Sequence, residues 1–204
     1  MNLDIYKAIV PDTPPEILSW RMATGKDFRD EVWDGVYHVV DEKTSAEIDF
    51  ENELESWLIT KWACSRGGRV FRDTRLAKSD QTDFDFRVPS ICLYAEWSTD
   101  TYQNGMLVDP PDVVIEVFEG SGFGNRKTDF YRDLGVDEIW KLDPATRICE
   151  LTACEDCRVE SLITNRKRTI FSPVTGIEIK AAAESFEQEL FDLALHSSLR
   201  RRPK

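Results

Sequence analysis

No stretch of the chain approaches the roughly 18 apolar residues that a membrane helix requires, so no membrane span is expected. Residues 1–12 lack the basic segment and following apolar run of an export signal. Neither an internal repeat nor a low-complexity linker is present. Histidine is scarce: His38 and His196 are remote from each other, and no HxxxH pair occurs. Positive charge is in deficit, with 26 Lys and Arg against 38 Asp and Glu, a net charge of −12. The chain therefore lacks the overall basic footprint usual for a nucleic-acid binder. The five cysteines are odd in number in a chain with no export signal, which implies free thiols in a reducing cytoplasm.

What is present implies a single well-packed domain. Of the 204 residues 41% are apolar, with 6 Trp and 11 Phe, which excludes a disordered chain. That length suits one core burying ~70% of the unfolded surface. Proline near the first turn and Ile17, Leu18 and Trp20 predict a helix over 14–23, ended by Gly25. Asp34-Gly35 between alternating segments predicts a hairpin. Thr44 or Ser45 caps a helix that runs to about Cys64, where Gly67-Gly68 stops it. Residues 70–94 read as short strands and 98–111 as a loop.

Val113 to Phe118 is the strongest central-strand signal, nearly continuously apolar. Gly120, Gly122 and Gly124 form a turn, 125–134 a helix closed by Gly135, and 138–142 a strand turned by Asp143-Pro144. A meander to about Arg168 and the strand 177–180 follow. An amphipathic helix over 184–199 carries Phe186, Leu190, Phe191 and Leu195 on one side. The expected architecture is α/β (α+β), a central mixed sheet flanked by helices. Its parts are an extension over 1–14, the domain over 15–195 and a basic tail over 196–204.

Two groups of residues could carry chemistry. Cys154 and Cys157 form a CxxC to which Cys149 could add a third zinc ligand. A fourth ligand is lacking, and Glu155-Asp156 reads equally as a polar hairpin tip. The stronger candidate is Glu116, a carboxylate inside an apolar strand, where an uncompensated charge costs several kcal/mol. Asp112 lies four residues earlier, on the same strand face by periodicity. Two carboxylates there could seat a hard cation such as Mg²⁺. Lys127 on the next helix could orient a water or neutralise a phosphate. The same residues are also readable as a turn aspartate, a structural ion pair and a solvated lysine.

The block Pro111-Asp112-Val-Val-Ile-Glu116-Val, Lys127-x-x-x-Tyr131 and Leu134-Gly135-Val136-x-Glu138-x-Trp140-x-x-Asp143-Pro144 resembles the Uma2 family (DUF820), described as candidate restriction endonucleases. Glu31-Val-Trp-Asp34-Gly35-Val resembles that family's N-terminal hairpin, and Ser172-Pro173-Val-Thr-Gly176-Ile-Glu-Ile its last strand. The resemblance implies a PD-(D/E)xK, restriction-endonuclease-like fold. It further implies Mg²⁺- or Mn²⁺-dependent phosphodiester hydrolysis, with Glu116 as central metal ligand and Glu31 and Lys127 as site residues. The sequence departs from the family pattern where Ser90 replaces an aspartate, where Glu119 replaces a small polar residue, and where Thr44-Ser45-Ala46 replaces a histidine.

Two functions follow. One is a metal-dependent nuclease with nucleic acid as substrate. The other, which Ser90 and Glu119 favour, is a non-catalytic binding or oligomerisation module, with a homodimer among its expected assemblies. The acidity does not exclude the first. Some of it sits where a nuclease needs carboxylates, and Arg166-Lys167-Arg168 and the tail could touch phosphate.

Overall fold

The structure is a computed structural model that describes residues 14–40, 42–80, 82, 84–118, 125–145, 148–154, 158–161, 169–181 and 191–195. The extension before residue 14, Asp83, Glu119 with the glycine turn, Cys157, the 166–168 basic cluster and the basic tail lie outside the described residues.

The chain opens with α1 (Pro15–Thr24), ended by Gly25 in the left-handed region at φ 67°. None of its residues is buried. The helix is fixed instead by Arg21, which donates to both oxygens of buried Asp30 at 2.5 and 2.6 Å. Asp34 (φ 50°) and Gly35 (φ 79°) turn the chain between β1 (Glu31–Trp33) and β2 (Val36–His38). α2 (Ser45–Trp57) begins with a capping box. The Thr44 hydroxyl accepts from the Glu47 N–H at 3.2 Å, and the Glu47 carboxylate accepts from the Thr44 N–H at 2.8 Å. The helix then widens into a π-helical segment (Leu58–Ala63) before α3 (Cys64–Arg66), which periodicity alone does not reveal.

Short strands follow: β3 (Arg69–Arg72), β4 (Arg75–Ala77), β5 (Phe86–Arg87) and β6 (Ile91–Tyr94). The expected loop contains a small hairpin, β7 (Tyr102–Gln103) and β8 (Met106–Leu107), turned by Asn104-Gly105 at φ 51° and 83°. Then come β9 (Val113–Val117), α4 (Asn125–Leu134), β10 (Glu138–Asp143), β11 (Ile148–Ala153) and β12 (Arg158–Ser161). Last are β13 (Thr169–Phe171), β14 (Ile177–Ala181) and β15 (Phe191–Leu195).

β15 corrects the expectation of a C-terminal helix. Residues 191–195 pair antiparallel with β14, Ile177 opposite Leu195 and Ile179 opposite Leu193. The sequence FDLAL alternates with period two, and its partner is the strand just before it. That pairing outweighs the helical pattern.

The central sheet has the order β12-β11-β10-β9-β6-β3 and is mixed. β9 and β10 are parallel and joined through α4; the other pairs are antiparallel. A second sheet has the order β2-β1-β5-β4-β8-β7, and a third β13-β14-β15. Val113, Ile115, Val117, Trp140 and Leu142 pack with Phe50, Leu54, Leu58 and Trp62 of the long helix and with Ile170, Ile177 and Ile179. The opposite face, with Cys92, Val114 and Ile139, packs on Phe130, Tyr131, Leu76 and Leu107. The α+β expectation thus holds: β9 lies inside the sheet and between two packed layers.

Glu138 ties the third sheet to the first. It is buried at the start of β10 and accepts from the Trp140 indole (3.0 Å), the Ser172 hydroxyl (2.6 Å) and the Val174 N–H (3.3 Å). Burial pushes its carboxyl above the ordinary 4.5, against the pull of those donors. The folded state then holds this proton more tightly than the unfolded chain, so stability falls as pH rises above 4.5 through the folded value. In Glu138→Gln this loss is absent. The melting-temperature gap between wild type and variant should narrow as pH rises above 4.5. A gap independent of pH would assign the linkage to another group.

Candidate active site

Strand alternation decides where Glu116 points. Ile115 and Val117 face α2, whereas Val114 faces α4, so Glu116 shares the α4 side. There its Oε1 lies 2.7 Å from Lys127 Nζ, and the same nitrogen is 2.7 Å from Glu31 Oε1. All three side chains are buried, the lysine at 6% exposure and the carboxylates at 3% and 1%. β1 supplies Glu31, β9 supplies Glu116 and α4 supplies Lys127. The structure thus brings together the three residues that the resemblance singled out.

The triad has further partners, to none of which the sequence had given a role at the site. Tyr131, one turn after Lys127 on α4, donates its hydroxyl to Glu116 Oε1 at 2.5 Å and is itself fully buried. The i, i+4 spacing was the available signal. Glu31 accepts from the Val88 N–H (2.9 Å) and from the Trp33 indole (2.7 Å). Trp33 stacks on His38 at 4.3 Å and lies against the Arg87 guanidinium, which also meets Phe130. Lys141 pairs in register with Glu116 and shares the side of Ile139, facing α4.

Burial opposes the charge of Lys127, but Glu116 and Glu31 outweigh it and hold the ammonium above the ordinary lysine value of 10.5. It is therefore cationic throughout the neutral range. Burial, then Glu116, pushes the Tyr131 phenol and the Cys92 thiol well above their usual values, so neither is an ionised nucleophile at neutral pH.

Asp112 does not join this group. It precedes β9, and its Oδ2 accepts from the Ala95 N–H at 2.6 Å. Four extended residues separate its Cα from that of Glu116 by about 13 Å, too far for two short side chains to share one cation. Periodicity gives the face correctly but not the distance along the strand. Ser90 lies one step beyond the Ile91–Ile115 pair, opposite Glu116. Its hydroxyl accepts from the Val117 N–H at 3.1 Å and lies against buried Glu51. Glu51 in turn pairs with Lys43 and with Arg72 (3.2 Å). Asp85, near Ser90 in sequence, is held by its own partners: its Oδ1 accepts from Arg87 (2.6 Å) and from the Asp34 N–H.

Among the described residues no group of three or more His, Cys, Asp or Glu is arranged to hold a metal. The smaller set, Glu31 and Glu116, does fit a divalent cation. Both present a carboxylate oxygen to one positive charge, the Lys127 ammonium, and the two oxygens are no farther apart than twice 2.7 Å. Mg²⁺ is commonly bound by one or two carboxylates, with waters and phosphate completing its shell. Cys157 lies outside the described residues, and among the described cysteines the two of the CxxC candidate set lie on opposite sides of the sheet. Cys149 packs on the α2 side and Cys154, an odd number of residues later, on the α4 side. Burial pushes the Cys149 thiol up to about 12.

No family model matches the sequence, and no curated protein matches it either. The fold does have a solved counterpart, a candidate nuclease belonging to DUF820 from Anabaena variabilis ATCC 29413. The two superpose with a TM-score of 0.57 over 72% of this chain and 83% of that one, at 16% sequence identity. The chain shares that protein's fold. Among the described residues no helix is long and apolar enough to cross a membrane.

Removing the Tyr131 hydroxyl tests how much Glu116 depends on it. Tyr131→Phe should cost about 1–3 kcal/mol in chemical denaturation, the worth of a buried hydrogen bond to a charged acceptor. Unchanged stability would show that Lys127 alone satisfies that oxygen.

Proposed function

We propose that the protein is a divalent-cation-dependent phosphodiester hydrolase acting on nucleic acid, in the manner of restriction-endonuclease-like enzymes. The observation that carries this reading is the convergence of Glu31 and Glu116 on Lys127 from three separate elements. The fold shared with a candidate nuclease supports it. Glu116 and Glu31 would hold Mg²⁺ or Mn²⁺, which when bound would polarise a phosphate oxygen and lower the pKa of a bound water. Lys127 supplies a fixed positive charge for the negative charge that develops on phosphate in hydrolysis. Tyr131 and the Val88 N–H keep the two carboxylates in their rotamers. Asp112 stands at the start of β9, where its carboxylate accepts from the Ala95 N–H.

Ser90 favours a second reading, a nuclease fold kept as a binding or oligomerisation module, a homodimer included. Its hydroxyl is already committed to the Val117 N–H and Glu51, and serine offers no anionic oxygen.

Incubation of single- and double-stranded DNA with the protein and Mg²⁺ or Mn²⁺ separates the two. The first reading expects cleavage that needs the cation and falls at least about a hundredfold in Glu116→Gln. Calorimetry should show cation binding lost in the same variant. Binding without cleavage, even at high protein concentration, would leave only the second reading.

A further inference from the structure

We infer that Lys127 is a built-in competitor for the divalent cation, holding the site closed by occupying the place between Glu31 and Glu116 that the cation takes. The inference rests on the metal-binding reading above and adds how access to that site is controlled. Lys127 Nζ is 2.7 Å from one oxygen of each carboxylate, so an ammonium already fills the point on which both converge. A cation bound to the same two oxygens cannot share that point with a second positive charge. Charge balance agrees. Two carboxylates and one ammonium leave one negative charge uncompensated within the triad, whereas one divalent ion compensates both carboxylates. With the ion bound and Lys127 still in place, the buried triad would carry an excess positive charge, which is costly away from water. Lys127 must therefore leave its position as the cation enters. On leaving it is free to meet phosphate, which gives one side chain two successive tasks.

The arrangement around Lys127 is consistent with a filled cation site. Tyr131 approaches Glu116 Oε1, the same oxygen that Lys127 contacts, and the Val88 N–H approaches Glu31 Oε1, the other oxygen in contact with Lys127. Both donors hold an oxygen in place whichever cation is present. Lys127 reaches this point as the third residue of α4, from the helix that covers β9, so its departure disturbs no strand pairing.

The test is Mn²⁺ and Mg²⁺ binding to the full chain by calorimetry, with the melting temperature of each variant read with and without cation. Lys127→Met should bind Mn²⁺ about tenfold or more tightly than wild type, because the competing charge at the point between the two carboxylates is gone. Added Mn²⁺ should raise its melting temperature by more than that of wild type. Both gains should vanish in Lys127→Met/Glu116→Gln, which places the ion at Glu116. Lys127→Gln, which keeps hydrogen-bond donors without charge, should show the same gain. If Lys127→Met folds only when Mn²⁺ is present, that dependence also supports the inference. Equal or weaker Mn²⁺ binding by Lys127→Met and Lys127→Gln than by wild type would overturn the competition and leave the metal site standing. No binding by wild type or by either variant at millimolar Mn²⁺ would overturn both.

Discussion

Two buried carboxylates held by one buried ammonium are the constraint on which this fold's polar interior depends. Neither Glu31 nor Glu116 is viable alone, since an uncompensated buried charge costs several kcal/mol. Lys127 serves both, and in doing so fastens three elements that the backbone does not pair: a strand of the second sheet, the central strand of the first, and the helix between β9 and β10. Apolar packing fills the space around this point, but the ion triad sets where α4 sits along β9.

Ser90, opposite Glu116, accepts from the Val117 N–H of β9 through its hydroxyl oxygen. Lys43, Arg72 and Asp73 gather around buried Glu51 in a second ion cluster on the other side of the sheet, separate from the first. Burial pushes the Glu51 carboxyl up despite Lys43, so this cluster is costly and not a simple source of stability. Both clusters flank the C-terminal half of β9, whose other residues are apolar. Charge is thus concentrated at one end of the central strand and excluded from the rest.

Much of the fold was legible because its signals are local. The Asp34-Gly35 turn, the Thr44 cap, the apolar run of β9 and the glycine stops are each written within a few residues. What failed was non-local. β15 depends on β14 for partners, and the helical pattern across 184–199 hid the alternation of its five residues. The Asn104-Gly105 hairpin joins strands of only two residues each, too short for alternation to register. At the site, Glu116 was visible as a charge inside an apolar strand. No spacing links Glu31 to Glu116, however; their pairing was legible only through resemblance to a family. For Asp112, alternation reports the face of a strand and not the distance along it.

α1 sits apart from this logic. It buries no residue and leaves Ile17, Trp20 and Met22 exposed; among the described residues its ties are the Arg21–Asp30 link and, just past its end, a surface pair between Lys26 and Glu42. An element held by charge and not by apolar contact has a local opening free energy well below that of the core. That free energy falls with ionic strength, most of all through the exposed pair. Amide exchange in α1 should therefore proceed by detachment of the helix alone, at a salt-dependent rate, while the sheet behind it stays protected.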